Sequence, residues 1–322
     1  MSRYFIVGGA GFIGSHFCDR LMAAPDTTAV TIYDNFSSGR DWHIAAHQPD
    51  NRFRVVRGDV KDLGALTDAM AGHDVVIHLA SNPDIARAVT EPDIDFNEGT
   101  LLTNNVLEAM RRGNVGTILY ASGSGVYGDT GEQVVAEDYT PMRPISTYGA
   151  SKLAGEALIS AYAFMFGIRG RCFRFGNVVG TRQTHGVGFD FVRRLRVDGT
   201  KLRILGDGRQ NKPYIHVSDV VSAVLWARAH TPDDFAVYNV ATGDTMTVND
   251  IAELACEVVG LDPKAVKFEY TGGDRGWKGD VPIVKLDVSR ILALGWPGAR
   301  PSREALRLSL EGLNSEVTRG LI

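Results

Sequence analysis

Cysteine is scarce in this chain, and the three present, Cys18, Cys172 and Cys256, lie far apart without Cys-x-x-Cys spacing. An odd, scattered set assembles neither a disulfide framework nor a zinc site, so each is expected to be a small buried apolar residue and no metal is expected. Long hydrophobic runs are missing too: no stretch reaches the ~18 apolar residues needed to cross a bilayer. The first apolar segment, residues 4–7, is too short for the core of a signal peptide and no cleavage site follows it, so a cytoplasmic protein without a membrane partner is expected. Charge of one sign is also lacking. Lys and Arg number 34 against 38 Asp and Glu, a net charge of −4, which offers no broad attraction to nucleic acid or anionic lipid. No repeat, low-complexity tract or Pro-rich linker interrupts the sequence.

What is present suits a large globular core: 44% of residues are hydrophobic and 22% charged, over a length of 322 that accommodates two domains. Short apolar runs at 4–7, 29–33, 54–57, 75–79 and 117–121 alternate with helical patterns at 13–22, 63–70 and 100–110. That alternation predicts an α/β fold with a doubly wound parallel sheet of the Rossmann type. From Asn177 it breaks down into loops, an Arg-rich helix at 191–197, a strand-like run at 237–240 and a capped helix at 247–260. The expected organisation is a dinucleotide-binding domain over 1–176, completed by about 214–243, with a smaller substrate-binding lobe from 177–213 and 244–322.

Gly8-Gly9-Ala10-Gly11-Phe12-Ile13-Gly14 lies between a strand and a helix. The G-x-x-G-x-x-G spacing lets the chain turn tightly and brings a bare helix N-terminus against a pyrophosphate. Asp34 closes the next strand twenty residues after Gly14, where a carboxylate accepts hydrogen bonds from ribose hydroxyls and repels a 2′-phosphate. NAD is therefore expected over NADP, with Arg40 the one nearby residue able to moderate the preference. A second pattern, Tyr148-Gly149-Ala150-Ser151-Lys152, sets tyrosine and lysine four apart on one face of a helix running to about Phe166. A lysine ammonium beside a phenol favours the phenolate, a usable base, and a cationic nicotinamide nearby adds to the effect.

Taken with Gly58-Asp59-Val60, His78-Leu79-Ala80, Val126-Tyr127-Gly128, Arg174-Phe175-Gly176-Asn177 and Tyr214-Ile215-His216-Val217-Ser218-Asp219, these motifs give the chain its family likeness. It resembles the NAD-dependent epimerase/dehydratase family of extended short-chain dehydrogenases, and within it the UDP-glucose 4-epimerase branch. The resemblance covers essentially the whole chain. It implies a bound NAD that takes a hydride from C4 of a nucleotide-diphosphate sugar, and a homodimer formed through a helical bundle. It also implies Asp59 and Val60 at the adenine and Leu79 and Ala80 beside the cofactor. The cofactor-binding set expected is Gly8, Gly11, Phe12, Ile13, Gly14, Asp34, Asn35, Ser38, Gly39, Asp59, Val60, Leu79, Ala80, Ser81, Tyr148 and Lys152.

One departure stands out. Relatives carry Ser or Thr three residues before the Val of the Val-Tyr-Gly element, where its hydroxyl bonds the reacting sugar oxygen; here that residue is Gly123. Ser122 and Ser124 flank it, and Ser124 is the preferred substitute. The acid–base pair that follows in the 4,6-dehydratases is Ser124-Gly125 here, so dehydration is disfavoured. What remains is epimerisation at C4, or as an alternative a C4 dehydrogenase that releases the 4-keto sugar; a non-catalytic dinucleotide sensor is the second alternative. Substrate contacts are expected from Asn177, Arg182, His185, Lys212 and Arg275. Arg275 is the better diphosphate contact, because a guanidinium binds phosphate bidentately and Lys212 stands where relatives carry Arg.

Overall fold

Short runs rich in β-branched and aromatic residues, bounded by turns, fold as strands, and the amphipathic stretches between them fold as helices. In the computed structural model, which describes residues 1–322, the chain opens with β1 (Ser2–Val7), α1 (Phe12–Met22), β2 (Thr27–Asp34), β3 (Phe53–Arg57) and α2 (Leu63–Met70). It continues with β4 (Val75–His78), α3 (Leu101–Gly113), β5 (Thr117–Gly123), α4 (Thr147–Phe166) and β6 (Arg169–Phe175). Then come β7 (Asn177–Val179), α5 (Val187–Val197), β8 (Lys201–Ile204), β9 (Asn211–Lys212), β10 (Tyr214–His216) and α6 (Val217–His230). Last are β11 (Phe235–Val240), β12 (Met246–Thr247), α7 (Val248–Val259), β13 (Lys267–Tyr270), α8 (Ser289–Leu292) and α9 (Ser302–Thr318).

Seven strands form one sheet in the order β11-β6-β5-β4-β1-β2-β3, and the pairings from β3 through β5 are parallel. This is the doubly wound α/β arrangement. The strand order reverses between β1 and β4, and ligands of such sheets bind at the carboxyl ends of the strands around that switch point. β6 was hidden in the sequence because Arg169, Arg171 and Arg174 interrupt its apolar run. Arg171 and Arg174 are nevertheless buried, with Arg171 Nη1 donating to the carbonyls of Gly170 at 3.0 Å and Asp234 at 2.9 Å. α5 starts four residues before the expected 191, at Val187, and a single π-helical turn, Phe96–Thr100, leads into α3.

By packing, the chain divides into two compact units, residues 1–126, 146–174 and 224–238 in the first and 127–145, 175–223 and 239–322 in the second. The first is built on a core of Phe5, Val7, Tyr33, Val76, Val106, Ile118, Tyr120 and Ile159. The second closes around Phe191, Val192 and Leu195 of α5, Ile251 and Leu254 of α7, and Leu306 and Leu310 of α9. Segment 127–145, which the sequence grouped with the dinucleotide domain, belongs to the second unit. Asn239 anchors it there: its Nδ2 donates to Val135 O at 3.0 Å, its backbone amide donates to Glu137 Oε1 at 2.7 Å, and its Oδ1 accepts from Tyr127 Oη at 2.7 Å. No helix is long and apolar enough to cross a membrane.

Candidate active site

The first unit gathers four of the sequence motifs at the carboxyl ends of neighbouring strands. β1 ends in the glycine turn, β2 in Asp34, β3 is followed by Asp59 and Val60, and β4 by Leu79, Ala80 and Ser81. Gly8 takes φ +83, and a Cβ there would come within 2.9 Å of the Ala80 amide; one at Gly14 would strike the Gly8 carbonyl. Only glycine allows the strand, the turn and α1 to approach so closely. α1 begins without a side-chain cap at Gly11 and without an acidic residue in its first turn. Its free amides, at Phe12 and Ile13, form an anion site suited to a pyrophosphate.

Asp34 is 7% exposed. Its Oδ2 accepts from the Ala10 amide at 2.9 Å and its Oδ1 from the Phe36 amide at 2.7 Å. Burial pushes this carboxyl above its ordinary range, and those two amides and Arg57 oppose the shift. A carboxylate has about four acceptor sites, so lone pairs remain for two ribose hydroxyls. The cation that acts on Asp34 is Arg57 of β3, its register partner in the sheet, which lies 3.7 Å over the Phe36 ring and is paired with Asp41. Arg40, named from the sequence, turns instead to the Gly39 carbonyl at 3.0 Å. Gly39 packs against Ala10 and Asp34, while Asn35 and Ser38 lie on the more open side of the same loop.

At the next strand, β5, α4 presents the Tyr148–Lys152 pair. Ser146 caps α4 by accepting from the Gly149 amide at 3.0 Å, and Gly155 lets the helix lie directly on Tyr120 of β5. Lys152 is 3% exposed. Its Nζ donates to the Ala121 carbonyl at 2.8 Å and sits 5.4 Å from the centre of the half-buried Tyr148 ring. His78, at the end of β4, is wholly buried, and burial together with the Lys152 charge pushes it down to about 3, so it stays neutral.

The two serines flanking Gly123 separate cleanly. Ser122 is buried and its Oγ donates to Glu156 Oε1 at 2.5 Å; Glu156 in turn receives Arg174 Nη2 at 2.7 Å. Its hydroxyl proton is committed inward to Glu156. Ser124 is half-buried at the start of a single turn, Ser124–Val126, and makes no side-chain hydrogen bond within the chain. A Cβ at Gly123 would meet nothing within 4 Å, so the space for the missing side chain exists.

In the second unit, Lys212 and Arg275 are brought together through Asp280. Lys212 Nζ pairs with Asp280 Oδ1 at 2.5 Å, while Arg275 donates to the Asp280 carbonyl at 2.7 Å and to Asp129 Oδ2 at 2.6 Å. Arg275 holds the Asp129 carboxyl below its usual range. Both acidic partners were invisible to motif reading. Asn177 lies in β7 opposite Tyr214 of β10. Arg182 takes φ +65 and its amide donates to Glu316 Oε1 at 3.0 Å, and His185 is exposed beside Thr184.

A doubly wound sheet with a bare glycine-flanked helix terminus, a buried acid closing its second strand and a Tyr-x-x-x-Lys helix defines a dinucleotide-dependent enzyme of the short-chain dehydrogenase type. Residues 4–241 match the sequence model of the NAD dependent epimerase/dehydratase family, and the chain belongs to that family. NAD is its cofactor. Among its relatives is a UDP-glucose 4-epimerase of Mycolicibacterium smegmatis, 32% identical over 303 residues, covering 91% of this chain and 93% of the relative. A crystal structure of a UDP-galactose 4-epimerase superposes with TM-score 0.85 at 37% identity, covering 98% of this chain and 99% of that one. A dTDP-glucose 4,6-dehydratase from Streptomyces venezuelae, solved with NAD, gives TM-score 0.88 at 26% identity, covering 99% and 98%.

Proposed function

We propose that this chain is a nucleotide-sugar 4-epimerase. The observation that carries the reading is an intact Tyr148–Lys152 pair beside a strand end, Gly123-Ser124-Gly125, that offers no acid–base pair for eliminating water. Bound NAD supplies the hydride acceptor at the sugar's C4. Tyr148 Oη takes the proton of the C4 hydroxyl and returns it after the keto sugar has presented its other face. Lys152, held by the Ala121 carbonyl, keeps a positive charge beside the phenol, and the free Ser124 hydroxyl donates to the reacting oxygen. Arg275 and Lys212 are the diphosphate contacts, with Asn177, Arg182 and His185 supporting the sugar side.

Purified protein incubated with UDP-glucose, UDP-N-acetylglucosamine and GDP-linked sugars in turn tests this. The expected result is a C4 epimer without build-up of reduced nicotinamide absorbance, and no turnover in Tyr148→Phe. A specific observation favours a second reading: with a hydroxyl missing at Gly123, the keto sugar is held less tightly. Persistent reduced nicotinamide with a 4-keto product would establish the C4 dehydrogenase instead.

The same reading includes a homodimer in the cytoplasm. Three cysteines, all buried and none in a disulfide, fit a reducing compartment. The outer face of α4 is apolar, with Ala150, Ala157 and Ala161 exposed and Phe164 94% exposed, a surface that self-association through helices would cover. Light scattering should give twice the 34.9 kDa chain mass, and Phe164→Glu should shift it toward the monomer. A monomeric wild type would end this part of the proposal.

A further inference from the structure

Asp95 is a carboxylate only 1% exposed that forms no ion pair. It precedes the π-helical turn into α3 and takes two neutral donors: Asn82 Nδ2 at 2.9 Å on Oδ1 and Thr147 Oγ1 at 2.6 Å on Oδ2. Asn82, itself 3% exposed, directly follows Leu79, Ala80 and Ser81 at the end of β4, and is locked by bonds to the carbonyl and amide of Asp84 at 2.9 and 3.0 Å. Thr147 is the first residue of α4 and the neighbour of Tyr148. One buried carboxylate thus joins the strand end that faces the cofactor to the residue that introduces the proposed base.

The first turn of a helix lacks intrahelical partners for its amides and frays most easily. Lys152, a turn later, has its own anchor at the Ala121 carbonyl, so Tyr148 can move relative to it unless the helix start is held. Ser146 satisfies one amide of that turn, Gly99 packs against Ser151, and the Thr147–Asp95 bond ties the turn by a hydrogen bond to the β4 side. Burying a carboxylate on neutral donors costs stability relative to a well-packed apolar side chain; what it contributes is direction.

We propose that Asp95, through Thr147 and Asn82, is a positioning residue that fixes Tyr148 over the cofactor-facing end of β4. This rests on Tyr148 being the base. Thr147 is largely exposed, so Thr147→Val removes the hydroxyl without disturbing the core. Its expected effects on the holoenzyme are a kcat about 30-fold lower, in line with the cost of a displaced catalytic group, with KM and bound NAD unchanged. Amide hydrogen exchange over residues 147–151 should rise about tenfold or more, and Thr147→Ser should restore both. In a cycle with Asp95→Ala, the double variant should lose no more than the worse single variant, because both remove one tie. Unchanged exchange and kcat in Thr147→Val beside an inactive Tyr148→Phe would overturn the positioning role and leave the base standing. Activity in Tyr148→Phe would overturn the base itself, and the exchange measurement would still report whether Asp95 holds the helix start.

Discussion

The two units prepare their ligand-facing groups in opposite ways. In the first, the groups proposed for recognition are backbone or left open: the uncapped amides of α1, the spare lone pairs of Asp34, the unbonded Ser124 hydroxyl. Ser122, close to them, is tied off inward to Glu156, and Lys152 is held in place by the Ala121 carbonyl. In the second, the cations proposed for the diphosphate already have anions, Asp280 on Lys212 and Asp129 on Arg275. A ligand meets an open cradle in one case and a partner exchange in the other. Backbone amides need no counter-charge while they wait, whereas a half-buried cation without one raises the energy of the free protein.

The largest effect should come from testing how open the first unit is. Ser124→Ala is expected to lower turnover by ~10²-fold, the usual cost of one positioned donor. Gly123→Ser in that background should recover at least a tenth of the wild-type rate, since its Cβ enters empty space. Ser122→Ala makes the contrast: turnover should stay within a few-fold while thermal unfolding shows a loss of about 1–3 kcal/mol, because Glu156 loses a buried donor. If Ser122→Ala abolished turnover and Ser124→Ala did not, the assignment of the two hydroxyls would be reversed.

A smaller effect probes the closed cations. Asp129→Asn removes the closer of the two carboxylates on Arg275, leaving Asp274 at 3.6 Å; the Arg275–Asp129 pair is about 30% exposed on each side. For a partly solvated ion pair the gain is modest, and calorimetry with UDP should show affinity tightened by about 2- to 5-fold. Equal or weaker binding of UDP would mean that Arg275 is not the diphosphate contact and that the two units differ less than described.

Much of the fold was legible because its signals are local. The alternation of apolar runs with helical patterns follows from chain periodicity, and the Gly8–Gly14 turn, Asp34 and Tyr148-x-x-x-Lys152 are short enough to be read without the fold. β6 was lost because its buried arginines look like surface residues until Glu156 and the Asp234 carbonyl are seen beside them. The anchoring of segment 127–145 escaped for a similar reason, since it depends on Asn239, more than a hundred residues from Tyr127. At the site, sequence alone set out which residue types are present: a base with a lysine partner, a missing hydroxyl at Gly123 with two candidates beside it, and cations suited to a diphosphate. Tertiary structure decided which of them are free. Ser122 and Ser124 are the same residue type, but Ser122 is buried and bonded to a residue 34 positions away while Ser124 is half-buried and unbonded. Arg57 and Arg40 differ in which one the sheet register brings to Asp34. A hydrogen bond or an ion pair consumes the same lone pair or charge that a ligand would use, and partners that distant in the chain become neighbours only when the sheet and its helices have packed.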